Sequence, residues 1–276
     1  MRTLASAILG LLAVLLTAAA FCGAWLNTNV VAESGFVALG APLAEDEAFQ
    51  RELASSLATE AAASADVPEP LADLVTPVIT SAVENVQALP DYPEAWSESL
   101  RRSHVLTFSA ENGGQPSGNL TLDVAPLVGL VTETVGSELN VDVPAPEQVP
   151  VQIGGAGHPD LLRNVERAGE AWPVLALAAA AAAILALLTA RRRSATFALM
   201  GLGAALAGAV LWFGAERIPE QVSAQQFSSP VASAFANAFA GQAAASLSAW
   251  TVALMLAGAA VFVVGLLLRG LSAARR

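Results

Sequence analysis

The two histidines and the acids near them are the residues with the clearest chemical potential. His104 follows a pair of arginines, His158 lies in a glycine-rich stretch, and Asp123 lies within the apolar stretch 120–127. Two histidines and one carboxylate, from Asp123 or Asp160, could form a metal site. Nothing in the spacing of these residues requires such a site, so we expect no metal and interpret both histidines as ordinary polar residues.

Nucleophilic catalysis has little support in the sequence. The chain contains no G-x-S-x-G, S-x-x-K or H-E-x-x-H motif, and its single thiol, Cys22, lies in an apolar run. The glycines at 154–157 lack the lysine and hydroxyl residue of a phosphate-binding loop. We therefore expect no catalytic residues, no cofactor and no enzymatic activity, with an outward-facing hydrolase as a minor alternative.

Asp123 is the most informative acid because its neighbours in the chain are apolar. Its carboxylate could cap the helix that follows, or it could pair with Arg101 or Arg102. Together with His104, these residues form our candidate site for a ligand or a partner.

The composition is that of a membrane protein. Of 276 residues, 55% are apolar and only 13% are charged, against about 25% charged in soluble domains. The net charge of −11 argues against nucleic-acid binding. We expect the lipid bilayer to be the main environment of the chain.

Four charge-free runs are long enough to span a bilayer as helices: Leu4–Leu26, Ala171–Ala190, Ser194–Ala215 and Leu247–Leu268. The first run could instead be a cleaved signal peptide, because Ala18-Ala19-Ala20 resembles a cleavage site, but its length favours an uncleaved anchor. A lipid-modified Cys22 is disfavoured by the bulky Phe21 before it.

The arginines predict the orientation of the spans. If both termini are cytoplasmic, the inner segments carry seven arginines and no acid, while the outer segments carry all 24 acids. Four tryptophans then lie at the outer ends of the spans: Trp25, Trp172, Trp212 and Trp250. The sequence therefore predicts a multi-pass protein of the cell membrane with its main domain outside the cytoplasm.

The spans contain small residues but no ionisable side chain. Proton relays and ion pathways usually need such groups, so we do not expect transport through these helices. Gly201-x-x-x-Ala205 and Ala204-x-x-x-Gly208 allow close helix packing. We interpret them as packing between the second and third spans, and a face for oligomerisation is the alternative.

The predicted fold is four transmembrane helices plus an extracytoplasmic α+β domain that is mostly helical and has a small sheet. The organisation is an anchor at 1–26, the outer domain at 27–170, a transmembrane hairpin at 171–215, an outer helical segment at 216–247, and the fourth helix with a basic tail at 248–276.

Periodicity and turn residues predict the outer elements. Helices are expected at Ala44–Ala62, Leu71–Leu89, Pro93–Leu106, Pro126–Leu139 and Leu161–Ala171. Runs at Val105–Ser109 and Asn119–Val124 predict a hairpin, and Val149–Ile153 predicts one further strand. A helix that starts at Pro230 is expected to continue into the fourth span.

The order of these features resembles that of uncharacterised actinobacterial membrane proteins with four spans and a large extracytoplasmic loop. The resemblance is carried by Trp96, Arg102-Ser103-His104, the stretch 120–128 and Trp172-Pro173-Val174-Leu175. Thirteen arginines and no lysine also suit such a source. The resemblance implies the architecture and assigns no catalytic residue.

Two functions of different classes follow. The first is a non-enzymatic envelope protein whose outer domain binds a partner protein or assists a membrane complex. The second is handling of a lipid or other apolar ligand by the outer domain, as an accessory to transport, with apolar helices such as Pro126–Leu139 and Val231–Phe239 lining a groove.

Overall fold

A computed structural model describes residues 2–64, 86–108, 121–139, 146–153, 159–227 and 229–274. The chain forms two compact units. Unit 1 comprises Met1–Val31, Asn164–Ile218 and Ala243–Arg276, and unit 2 comprises Ala32–Arg163 and Pro219–Gln242.

The structure is mostly helical with one small sheet, as the composition and periodicity predict. Its helices are α1 (Arg2–Leu26), α2 (Glu33–Gly40), α3 (Glu47–Ser64), α4 (Tyr92–Phe108), α5 (Ala125–Leu139), α6 (Pro159–Glu170), α7 (Trp172–Thr189), α8 (Arg193–Glu216), α9 (Ile218–Ser223) and α10 (Pro230–Ala274). Shorter helical turns lie at Asn27–Val31, Ala41–Glu45 and Val86–Ala88. The strands are β1 (Thr121–Asp123) and β2 (Pro150–Gln152).

Four of the described helices are long and apolar enough to cross a membrane: α1, α7, α8 and α10. The four predicted spans are therefore confirmed as helices. The prediction that the helix from Pro230 continues into the fourth span is also confirmed, because α10 runs from Pro230 to Ala274 without a break.

The small residues of the third span pack against the fourth span. A Cβ atom built on Gly201 would clash with the backbone nitrogen of Phe262, and one on Gly258 would lie 2.5 Å from that of Ala205. Gly208 is similarly close to Met255. The prediction of intramolecular packing is right in kind, but the partner of these residues is α10, whereas we expected the second span.

The four tryptophans that the sequence places at the ends of the spans lie at the end of unit 1 where α1 and α8 finish and α7 begins. Trp25 is 5% exposed, and its indole Nε1 donates a hydrogen bond to Ser246 Oγ at 3.2 Å. Trp250 packs edge-on against Phe21. Trp25 is thus a packing residue between α1 and α10, whereas the sequence suggested only an interfacial position.

An aromatic and aliphatic core holds unit 2 together. Its largest fully buried side chains are Trp96, Phe49, Phe235, Leu43, Leu100, Leu122 and Leu127. They come from α3, α4 and α5, from the turn Ala41–Glu45, from β1 and from the first turns of α10, and the helices among these elements present an apolar face at helical spacing.

The predicted helix Ala44–Ala62 is present but starts later. Asp46 Oδ1 accepts hydrogen bonds from the N–H groups of Ala48 at 3.0 Å and Phe49 at 2.9 Å. This cap satisfies the first free N–H groups of α3, so the helix begins at Glu47.

The predicted hairpin of Val105–Ser109 with Asn119–Val124 is wrong. Residues up to Phe108 belong to α4, because Ser103 and Thr107 continue the buried face that begins with Trp96 and Leu100. The strand β1 pairs antiparallel with β2, with Leu122 opposite Val151. The strand predicted at Val149–Ile153 is confirmed and supplies this partner.

The remaining outer helices agree with prediction within two residues at the ends that the structure describes. The predicted helices Pro93–Leu106, Pro126–Leu139 and Leu161–Ala171 correspond to α4, α5 and α6. Most of the predicted helix Leu71–Leu89 lies outside the described residues, as do His158 and the glycines at 154–157.

Candidate functional site

The candidate residues lie on two elements of unit 2. Arg101, Arg102 and His104 belong to α4, and Asp123 ends β1. The structure divides them into a buried pair, His104 and Asp123, and an exposed pair, Arg101 and Arg102.

Asp123 is 1% exposed and joins three segments of the backbone. Its Oδ1 accepts hydrogen bonds from the N–H of Ala125 at 3.0 Å and from the N–H of Val149 at 2.9 Å. Its own N–H donates to Ser103 Oγ at 2.8 Å. The carboxylate therefore satisfies the first N–H of α5, which is the capping alternative that the sequence left open.

The arginines bind other acids. Arg102 Nε lies 3.0 Å from Glu98 Oε1, and Arg102 Nη1 donates to the carbonyl of Glu147 at 3.3 Å. Arg101 pairs with Glu98 and lies 3.7 Å from Glu33. The alternative pairing of these arginines with Asp123 is thus wrong, because Glu98 lies one helical turn earlier on the same exposed face of α4.

His104 lies at the edge of the core. It is 8% exposed, and its ring centroid lies 5.5 Å from that of Phe36 and 4.7 Å from that of Phe108. Among the described residues, no three histidine, cysteine or acidic side chains are placed to hold a metal ion together. The geometry around His104 is that of an aromatic packing residue.

A buried polar network, which sequence reasoning missed, lies at the other end of α4. Tyr92 donates its phenolic hydrogen to Gln50 Oε1, and Gln50 Nε2 donates to the carbonyl of Leu43 at 2.7 Å. Trp96 Nε1 donates to the carbonyl of Gly40 at 3.0 Å. Burial raises the pKa of Tyr92 well above its usual value, so the phenol stays neutral and keeps its donor.

The same half of α4 forms one wall of an acidic cleft, and α5 forms the other. The cleft has a volume of about 460 Å³ and a rim of four carboxylates with a single guanidinium: Asp91, Glu94, Glu98, Glu133 and Arg101. Its other lining residues are small or apolar: Ala95, Pro126, Gly129 and Leu130.

The acidic cleft was not predicted, although the sequence at the start of α4 contains a pattern that indicates it. Asp91, which immediately precedes α4, recurs with Glu94 and Glu98 at i, i+3 and i+7, so the three acids share one side of the helix. What the sequence does not reveal is that α5 packs beside this face and adds Glu133.

Comparison of the chain with protein-family models, with curated proteins and with solved structures finds no match.

Proposed function

We propose that this chain is a non-enzymatic membrane protein of the cell envelope whose unit 2 lies outside the cytoplasm and binds a partner protein. The acidic cleft between α4 and α5 is the proposed docking surface, and a basic segment of the partner is the proposed occupant. The observation that carries this proposal is the four-carboxylate rim around an apolar floor.

The negative charge of the cleft exceeds the positive charge among its own lining residues. Its only guanidinium, that of Arg101, already pairs with Glu98, and Asp91, Glu94 and Glu133 are exposed to solvent. Carboxylates arranged in this way attract lysine and arginine side chains and speed the encounter with a basic partner. The apolar floor would contribute further burial once water is displaced.

The arginine distribution supports the orientation. Positive charge is enriched in the cytoplasmic segments of membrane proteins, and the segments 1–3, 191–193 and 269–276 together carry seven arginines and no acid. An acidic outer domain then faces the envelope.

Handling of an apolar ligand by unit 2 is the second candidate function. Burial of the expected groove residues in the core argues against it. The side chains that were expected to line a groove are largely used in packing: Leu127, Val231 and Phe235 are each at most 4% exposed. A hydrolase is weakened in the same way, because Asp123 binds backbone N–H groups and His104 packs between phenylalanine rings.

Site-specific photo-crosslinking in the native membrane tests the docking surface. A photoreactive amino acid replaces Glu133 in the full chain, and the same amino acid replaces the exposed Arg51 of α3 as the control. We expect a discrete protein adduct from position 133 and none from position 51, with the adduct reduced at least fivefold when Asp91→Asn and Glu94→Gln are combined.

The proposal fails if position 133 yields no protein adduct, or if the adduct survives neutralisation of the two acids. Equal adducts from positions 133 and 51 would also contradict it, because contact would then not be specific to the cleft.

A further inference from the structure

Unit 1 contains a groove between the first halves of α1 and α8, beside the turn that connects α7 to α8. Its volume is about 500 Å³. One wall is a single face of α1 that includes Ala7, Gly10 and Val14, and the other is a face of α8 that includes Thr196 and Met200.

The groove narrows along the helices and is polar at one end only. At the narrow end, a Cβ atom on Gly203 would lie 2.9 Å from Val14 Cγ2, so α1 and α8 approach closely there. At the opposite end, the lining includes Thr3, Arg191 and Arg192. The distance along α1 from Thr3 to Val14 is about 17 Å, close to half of a hydrocarbon core of roughly 30 Å.

The polar end of the groove carries positive charge. Arg191 and Arg192 are exposed, and segments 1–14 and 188–203 contain four arginines and not one acidic residue. Guanidinium groups bind phosphate through paired hydrogen bonds. The start of α8 lies at the same end and has no side-chain cap, which favours an anion there as well.

We propose that this groove binds one anionic phospholipid, with an acyl chain between α1 and α8 and the phosphate at Arg191 and Arg192. The groove matches both parts of such a molecule, since its depth is that of one leaflet and its charge lies at the headgroup level. A second copy of the chain fits less well, because a copy inserted in the same direction would bring its own arginines to the same depth.

Lipid binding in this groove does not depend on partner binding by unit 2. It requires insertion of the four apolar helices into a bilayer, which thiol labelling at positions 87 and 193 tests separately.

Native mass spectrometry of the full-length protein in a mild non-ionic detergent tests the site. The probes are dioleoylphosphatidylglycerol, which is anionic, and dioleoylphosphatidylcholine, which has the same chains and no net charge. We expect one phosphatidylglycerol to bind at least tenfold more tightly than phosphatidylcholine.

Two variants separate the two halves of the groove. Combining Arg191→Gln with Arg192→Gln should lower phosphatidylglycerol affinity at least tenfold and remove the preference. Ala7→Phe should fill the apolar part and weaken both lipids. The matched control is Arg193→Gln, which removes an adjacent arginine that does not line the groove, and it should leave the preference within twofold of the wild type. Circular dichroism and a single elution peak verify that each variant is folded.

Three results would overturn the proposal. Equal affinity of the wild type for the two lipids would remove the charge argument. Loss of preference in Arg193→Gln equal to that in the double variant would show that total charge matters and the groove does not. A lipid-free dimer that Ala7→Phe dissociates would assign the groove to a second copy.

Discussion

Asp123 shows how one buried carboxylate can organise a junction of elements. Its Oδ1 accepts hydrogen bonds from the N–H of Ala125, at the start of α5, and from the N–H of Val149, just before β2. The N–H of Asp123 itself donates a hydrogen bond to Ser103 Oγ of α4. A buried N–H group without an acceptor costs about 1–3 kcal/mol, so this single oxygen has a large effect on the local fold.

Replacing Asp123 tests this role. Asp123→Ala leaves two backbone N–H groups without their acceptor, and we expect local opening to become easier by about 2 kcal/mol, or about 30-fold. Amide hydrogen exchange of residues 121–128 in the full-length protein measures the change. Asp123→Asn is the control, because its amide oxygen can still accept, and it should show a clearly smaller effect.

Exchange in Asp123→Ala equal to that of the wild type would contradict the assignment. So would equal acceleration in the alanine and asparagine variants, since the negative charge would then matter more than the acceptor.

At the scale of elements, the glycines of α8 explain how the third and fourth spans approach each other. Gly201 faces the backbone of α10 at Phe262 and Gly258, whereas the position of a Cβ on Gly214, in the same helix, has no atom within 4 Å. Helices in lipid associate mainly through close packing and interhelical hydrogen bonds, because burial of apolar surface adds little there. Adding a methyl group at Gly201 should therefore lower the stability of the helical bundle, whereas adding one at Gly214 should not.

Gly201→Ala and Gly214→Ala form a matched pair. Both changes give the same gain in helix propensity, but only the first places a methyl group in contact with a neighbouring backbone. We expect Gly201→Ala to destabilise the helical bundle by about 1–3 kcal/mol and Gly214→Ala to be neutral or slightly stabilising. Unfolding of the detergent-solubilised protein by sodium dodecyl sulfate measures both, and equal stabilities would contradict the packing of α8 on α10.

Within unit 2, the pairing of β1 shows how an element can be predicted correctly and its partner wrongly. The run Val105–Phe108 has residue types that are typical of strands. It is helical because the buried face of α4 continues through Thr107. Burial against the core decides such cases, and burial depends on residues distant in the sequence.

For the whole molecule, charge asymmetry is the main argument for orientation. Along the chain, the four apolar helices separate segments that carry seven arginines and no acid from segments that carry all 24 acids. This arrangement follows the positive-inside rule, on which arginines near the ends of spans determine orientation.

Thiol labelling of intact cells tests the orientation. In a Cys22→Ala background, a cysteine at the exposed Gln87 of unit 2 should react with a membrane-impermeant maleimide, and one at the exposed Arg193 should react only after the membrane is permeabilised. Labelling of position 193 in intact cells, with protection of position 87, would reverse the topology. Labelling of both positions in intact cells would contradict insertion of the second span, α7, which lies between them in the chain.

Local features of the chain were sufficient to predict the four long helices, the predominance of helix and the strand at Val149–Ile153. Each depends on residues close together in the sequence: uninterrupted apolar runs, helical periodicity and β-branched types between turn residues. The candidate site was predictable only in part, since Asp123 stood out as an acid among apolar neighbours while the acidic cleft did not.

The remaining features depend on contacts between distant segments. The packing of Gly201 on Gly258, the hydrogen bond from Val149 to Asp123 and the addition of Glu133 to the acidic face of α4 each join elements that local patterns describe separately. Periodicity specifies which face of a helix is apolar, small or charged, but several neighbours can cover such a face equally well. The choice among those neighbours is made by packing of the whole chain, which no local pattern encodes.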